Sequence, residues 1–202
     1  MTSTVPRLVP LPAESWTEDA RAMLRGRLQQ ADRYLSGEPA APRLPNILGI
    51  LGHHPELGGA WLEYNGLLLE RGTLAPLIRE LAVLRVAWRT RSAYEWSQHT
   101  RMAAVLGMST KTIEDIACGD TATWPELERL VLAATDELID RHRVADTTWI
   151  ALTEYLDTRE LIELLFVVGS YLCLALVFNS VDLQPDPDTG PVTAPATPEW
   201  EE

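Results

Sequence analysis

The chain has 202 residues, 46% of them hydrophobic, enough for one substantial core without requiring a second domain. Its formal charge is −12, with Lys111 the one lysine among 17 basic residues and the arginines scattered, so no basic patch for a nucleic acid is expected. Cys118 and Cys173 are far apart and lack Cys-x-x-Cys or Cys/His spacing, which reads as two ordinary thiols.

Residues 1–14 carry three prolines and little periodicity, and read as an extended arm. They lack the early positive charge and apolar run of a signal peptide, so a cytoplasmic protein is expected. Ser15 and Glu18 have capping-box spacing and open a predicted helix through about residue 35, ended by Ser36-Gly37-Glu38-Pro39 and a proline-rich linker to Pro45. Helices follow at 46–52 and at 55–70, where His53 and His54 precede Pro55 as helix-start residues. After the turn Arg71-Gly72-Thr73, segments 76–90 and 92–106 form a helical hairpin stopped by Gly107.

Ser109 begins a helix to Cys118, and Thr123 is the expected cap of the next, to about His142, with Pro125 and Glu126 in its first turn. Asp146 is the expected cap of another. Asp157 with Glu160 is a capping box for a long apolar helix ending near Ser180. Its stretch from Leu161 to Phe178 reaches the lower limit of about 18 residues for a membrane span. Glu163 and Ser170 interrupt it, the downstream tail is acidic and no second span exists, so it reads as a core helix, with no membrane partner. The tail, residues 184–202, has five prolines and cannot continue a helix. No segment alternates with period two for long, and the expectation is an all-α, single-domain helical bundle over residues 15–183.

The chemistry-bearing residues concentrate in the hairpin. Ser92, Glu95 and His99 are spaced by three and four residues, which puts a hydroxyl, a carboxylate and an imidazole on one helix face. Glu80 lies in the apolar stripe of Leu77, Leu81, Leu84 and Trp88, where a carboxylate is costly unless partnered. Packed as a pair, the two helices would bring both carboxylates to the imidazole, an arrangement that tunes proton-transfer groups. The structural alternatives are specific: Ser92-x-x-Glu95 is itself a capping box, Glu95 and His99 form an i, i+4 pair, and Glu80 has Arg79 and Arg85 beside it. Glu95 and His99 supply two possible metal ligands, with His53 or His54 as a third, but no His-Glu-x-x-His or facing Glu-x-x-His pairs occur, and no metal is expected. His142 after Arg141 reads as a helix-end cation.

The spacing Glu-x11-Ser-x2-Glu-x3-His resembles the Glu-x11-Cys-x2-Cys-x3-His pattern of the carboxymuconolactone decarboxylase and alkylhydroperoxidase D superfamily, with both cysteines substituted. Arg79-Glu80-Leu81, Leu84-Arg85, Trp88, Tyr94-Glu95-Trp96 and Gln98-His99 carry the resemblance, densest over residues 76–117, with Val168-Gly169, Tyr171 and Asn179-Ser180 extending it. It implies the alkylhydroperoxidase D-like helical fold and a homo-oligomer, as trimer, multiple of it, or dimer. It also implies a cofactor-independent enzyme acting on a small lactone, carbonyl or carboxylate substrate by decarboxylation or related lyase or isomerase proton transfer. His99 would carry the proton, Glu95 would orient it or share its proton, Glu80 would set the charge of the pair, and Ser92 would hold substrate. Trp88, Tyr94, Trp96, Tyr171, Asn46 and Asn179 are the candidate substrate contacts. Thiol peroxidase chemistry needs a nucleophilic and a resolving thiol, and Ser92 and Glu95 occupy those positions. The alternative is a non-catalytic relative that binds a metabolite or assists assembly.

Overall fold

The computed structural model describes residues 6–25, 27, 33–34, 36, 43–118 and 121–187. Nine α-helices and no strand occur among them. They fall into two compact units: Met1–Arg71 with Ser180–Asp186, and a second built on Gly72–Asn179.

In the first unit the arm is extended, its Arg7 amide donating to the Val181 carbonyl at 2.9 Å. A single 3-10 turn, Ala13–Ser15, precedes α1 (Glu18–Leu24). The expected Ser15 cap is displaced to Thr17, whose hydroxyl accepts from the Ala20 amide at 3.2 Å, because Ser15 is drawn into the 3-10 turn. The first helix ends at Leu24, where Arg25 turns extended (ψ 126°), and residues 33–34, near the expected end, are again helical. Residues 26, 28–32, 35 and 37–42 of the expected helix and linker lie outside the described residues. Then come α2 (Asn46–Leu51) and α3 (Pro55–Glu70), the latter started by His54 and Pro55 as expected, with the His54 ring accepting from the Leu57 amide. Trp16, Ala20, Met23, Leu24, Leu48 and Leu62 form this unit's core.

The second unit is organised on α4 (Pro76–Arg89), buried along Ile78–Leu84, Val86 and Ala87 and packed against α5 (Ala93–Val105), α6 (Thr110–Cys118) and α7 (Glu126–Arg141). A helix buried on so many sides is held by side chains matched across its faces. Arg85 grips Asp136 of α7 in a fork, Nε to Oδ1 and Nη2 to Oδ2 both at 2.8 Å, and donates to the Ile116 carbonyl at 2.6 Å. Arg89 adds bonds to Asp136 (2.5 Å) and Asp140 (2.6 Å). Pro125, not Thr123, stands at the start of α7, its fixed φ suiting that position. The start of α8 (Asp146–Leu152) is served from α7: Glu137 accepts from the Ala145 amide (2.8 Å) and the Thr148 hydroxyl (2.9 Å), which leaves Asp146 to pair with Arg143 instead of capping.

Asp157 and Glu160 close the capping box that opens α9 (Thr158–Ser180): the Asp157 amide donates to Glu160 at 2.9 Å and the Glu160 amide to Asp157 at 2.9 Å. By length and composition α9 could cross a membrane, but half of its most apolar window is buried within the protein. Leu161, Leu164, Val168, Tyr171, Ala175 and Phe178 recur at helical spacing on its inner face. Its Glu163 reaches the residues before α4, accepting from the Thr73 amide (2.6 Å) and hydroxyl (2.9 Å) and the Leu74 amide (2.7 Å).

Candidate active site

The hairpin turn positions the candidate residues. At the end of α4 the Arg91 amide bonds to the Trp88 carbonyl (3.1 Å) and the Ser92 amide to the Ala87 carbonyl (2.9 Å), the Schellman pattern. Arg91 itself stands at φ 56°, in the left-handed region. Helix α5 therefore begins immediately after α4 ends and folds back along it, so that Glu80, early in α4, meets His99, well along α5.

That turn also decides Ser92 and Glu95. In a capping box the glutamate accepts from the amide of the capping residue. Here the Ser92 amide is already committed to Ala87, and Ser92, at ψ 91°, makes no side-chain cap bond. The box stays open. Ser92 is 0% and Glu95 2% exposed, and among the described residues neither the Ser92 hydroxyl nor either Glu95 oxygen has a hydrogen-bond partner. Burial pushes the Glu95 carboxyl from the ordinary 4.5 up to about 8; the neighbouring Ser92 hydroxyl, outside good hydrogen-bond geometry, opposes only part of the rise.

The partner of His99 is Glu80. Its Oε2 lies 2.7 Å from His99 Nδ1, its other oxygen lies 3.4 Å from Arg79 Nη2, and the Glu80 side chain is fully buried. The sequence-based role for Glu95 as the residue that orients the imidazole thus falls geometrically to Glu80. Tyr171 from α9 sets its ring edge-on to His99, centroids 4.8 Å apart at 90°. Burial, Glu80 and Glu95 in that order hold its phenol well above the ordinary value, so it stays neutral.

The remaining candidates divide. Trp96 stacks obliquely on Trp88 with centroids 5.7 Å apart, and its buried indole nitrogen has no acceptor. Tyr94 packs edge-on to Phe178 at 5.0 Å, a core contact. Asn179 is exposed and donates to the Thr90 carbonyl at 2.7 Å, tying the end of α9 to the end of α4. Asn46 belongs to the first unit, where its amide and side chain bond Asp186 (2.8 Å) and the Gln184 carbonyl (2.9 Å). Both asparagines make structural ties, each within its own unit. Arg79, not singled out from the sequence as a site residue, joins it through Glu80; its position directly before Glu80 in an apolar helix was the available signal. Among the described residues no three His, Cys, Asp or Glu side chains group as for a metal ion.

Residues 55–136 match the carboxymuconolactone decarboxylase family. No match was found among curated proteins. Among solved structures the chain superposes on an uncharacterised peroxidase-related protein from Ralstonia eutropha JMP134, described as an alkylhydroperoxidase AhpD core, with TM-score 0.75 and 16% identity over 92% of this chain and 95% of that one. A peroxidase-related protein from Silicibacter sp. TM1040 gives TM-score 0.68 at 16% identity, covering 93% of this chain and 92% of that one. A cysteine-to-alanine variant of the debrominase Bmp8, in complex with 2,3,4-tribromopyrrole, gives TM-score 0.69 at 16% identity, covering 92% and 94%. At such identity these structures speak for the fold alone. The family match covers the helices that carry Glu80, Glu95 and His99, and the fold around them is the all-helical one of the alkylhydroperoxidase AhpD core structure.

Proposed function

We propose that the protein is a cofactor-independent acid–base enzyme that moves a proton at a carbon next to a carbonyl, lactone or carboxylate group of a small substrate. The observation that carries this reading is the buried 2.7 Å Glu80–His99 pair beside a second carboxylate, Glu95, that has no partner and holds its proton at neutral pH. An imidazole whose Nδ1 faces a carboxylate exchanges protons through Nε2. Glu95, neutral, donates a hydrogen bond to the oxygen on which charge develops, as a carboxylic acid kept protonated by burial can. In a decarboxylation the carbon–carbon bond to the departing carbon dioxide breaks and its electron pair moves into the enolate. Glu95 stabilises the enolate oxygen, and His99, charged by a solvent proton, protonates the carbon. An isomerisation uses the same groups with His99 first removing the proton. Ser92 supports the substrate by a hydrogen bond. The thiol route to peroxide reduction has no cysteine at either motif position.

The test is carbon–hydrogen exchange in D2O, followed by NMR over a panel of small lactones and β-keto acids. Exchange or carbon dioxide release by the wild-type protein, lost in His99→Ala, is the expected result. Absence of any reaction across the panel, with a panel member still bound, would favour the metabolite-binding alternative.

Self-association belongs to the same reading. Ile162, Phe166, Leu176 and Val177 are 41–64% exposed along the outer side of α9, an apolar stripe that supports a trimer, a multiple of it, or a dimer. Light scattering of Phe166→Glu should report a smaller species than the wild type.

A further inference from the structure

The outer face of α9 is apolar without interruption, and the order of its side chains fits one kind of partner. Every exposed residue from Ile162 to Val177 is apolar, namely Ile162, Phe166, Gly169, Cys173, Leu176 and Val177, and no formal charge occurs between Glu163 and the end of the helix. The first five are spaced by four, three, four and three residues, the seam along which two helices pack on each other. Such a seam is narrower than the apolar face a helix lays on a core, and it accepts one helix. Gly169 is an independent sign of that helix. Glycine inside a helix is destabilising relative to alanine, and nothing in the chain itself requires it here: a Cβ at 169 would meet no heavy atom within 4 Å. A neighbour whose backbone approaches closely accounts for it. The order of sizes then identifies the neighbour. Run in opposite directions about a twofold axis at Gly169, two copies of α9 set Ile162 opposite Leu176, the Phe166 ring opposite the small Cys173, and glycine opposite glycine at the crossing. Run in parallel, they would set Phe166 against Phe166 beside a void at Gly169, which close packing disfavours. Charge agrees, because at −12 two copies repel over most of their surfaces, whereas this face carries nothing to oppose the contact and antiparallel helix dipoles attract.

We propose that α9 is the twofold interface between two copies of this chain, the helices crossing antiparallel with Gly169 at the axis and Phe166 of each seated against Gly169 and Cys173 of the other. The inference deepens the self-association reading, on which it rests, by fixing which face meets which, in what direction and in what register. It makes no use of the proton-transfer site. The register has a chemical consequence. The two Cys173 residues stand four residues to either side of the axis, about 12 Å apart along the seam, beyond the Cα separation of about 7 Å that a disulfide can span, whereas the two residues at position 169 meet.

The experiment is oxidative cross-linking of the full chain with copper phenanthroline, read by non-reducing electrophoresis beside light scattering. In a Cys118→Ser, Cys173→Ser background, Gly169→Cys should give a covalent dimer, and Cys118→Ser alone, which keeps Cys173, should not. Gly169→Leu, whose Cβ meets nothing in its own subunit, should keep the helical circular dichroism of the wild type. It should weaken dimerisation by about tenfold or more, the scale of overpacking a close contact. Cross-linking through Cys173 instead of position 169 would mean parallel helices and overturn the proposal. A monomeric wild type would overturn it together with the self-association reading, and sedimentation of that monomer with phosphatidylcholine vesicles would assign the stripe to a lipid surface. A dimer that Gly169→Cys does not link and Gly169→Leu does not weaken would leave self-association standing and remove this seam alone.

Discussion

Two helices of the second unit open on the same motif spacing, and only one uses it. At α9, Asp157 and Glu160 exchange hydrogen bonds with each other's amides, both at 2.9 Å, and the carboxylate is spent on the backbone. At α5, Ser92 and Glu95 have the same separation, but the Ser92 amide already closes the Schellman turn at Ala87, and both Glu95 oxygens are buried without a partner. A motif that satisfies the backbone is complete in itself. One that is denied its amide leaves a polar group in the interior, and a buried polar group without a partner is stable only at a cost that a function can justify. The Arg85–Asp136–Arg89–Asp140 cluster teaches the same from the same helix that holds Glu80: every one of those charges is bonded, and the cluster ties α4 to α7.

The largest effect expected is on chemistry at the open motif. His99→Ala should lower kcat/KM by about 10²- to 10⁴-fold, the usual contribution of a general acid or base, while circular dichroism stays that of a helical fold. Retained turnover would remove the open cluster from catalysis.

Glu95→Gln sharpens the contrast, because loss of function and gain of stability should coincide. A folded-state carboxyl at about 8, against 4.5 when unfolded, binds its proton more tightly in the native protein. Stability is therefore fully present below pH 4.5 and declines as pH rises towards 8, by roughly 3 kcal/mol between pH 4.5 and 7 at about 1.4 kcal/mol per unit. Glu95→Gln should flatten that decline in denaturant titrations run at several pH values, and wild-type kcat/KM should fall above about pH 8, where Glu95 ionises. A pH-independent wild type would mean that Glu95 finds a partner in solution.

Smaller effects compare the two motifs directly. Asp157→Ala removes a working cap and should cost about 1 kcal/mol in urea unfolding. Ser92→Ala should change stability by less than about 0.5 kcal/mol, since its hydroxyl caps nothing, and should raise KM if it holds substrate. Equal losses in the two variants would show that the Ser92 cap forms after all.

The sequence carried the helical periods, the hairpin at 76–106 and the facing of Glu80 towards His99, because apolar spacing and i, i+3, i+4 steps are properties of neighbouring residues. The Asp157–Glu160 box, the His54–Pro55 start and the Gly107 stop (φ 95°) were equally legible, since each is settled within a few residues. Caps expected at Ser15, Thr123 and Asp146 moved to other residues where a different partner was better placed, as Glu137 of α7 is for the amide of Ala145. The position of the α4–α5 turn was legible, but its left-handed conformation was not, because the residue that adopts it is Arg91 rather than glycine or asparagine. What only the tertiary structure decided is which carboxylate meets His99, which is left alone, and that Asn46 and Asn179 serve as ties. These outcomes depend on competition among donors and acceptors brought together from distant parts of the chain. Spacing along a sequence states which groups face the same way, and packing alone determines which of them is already taken.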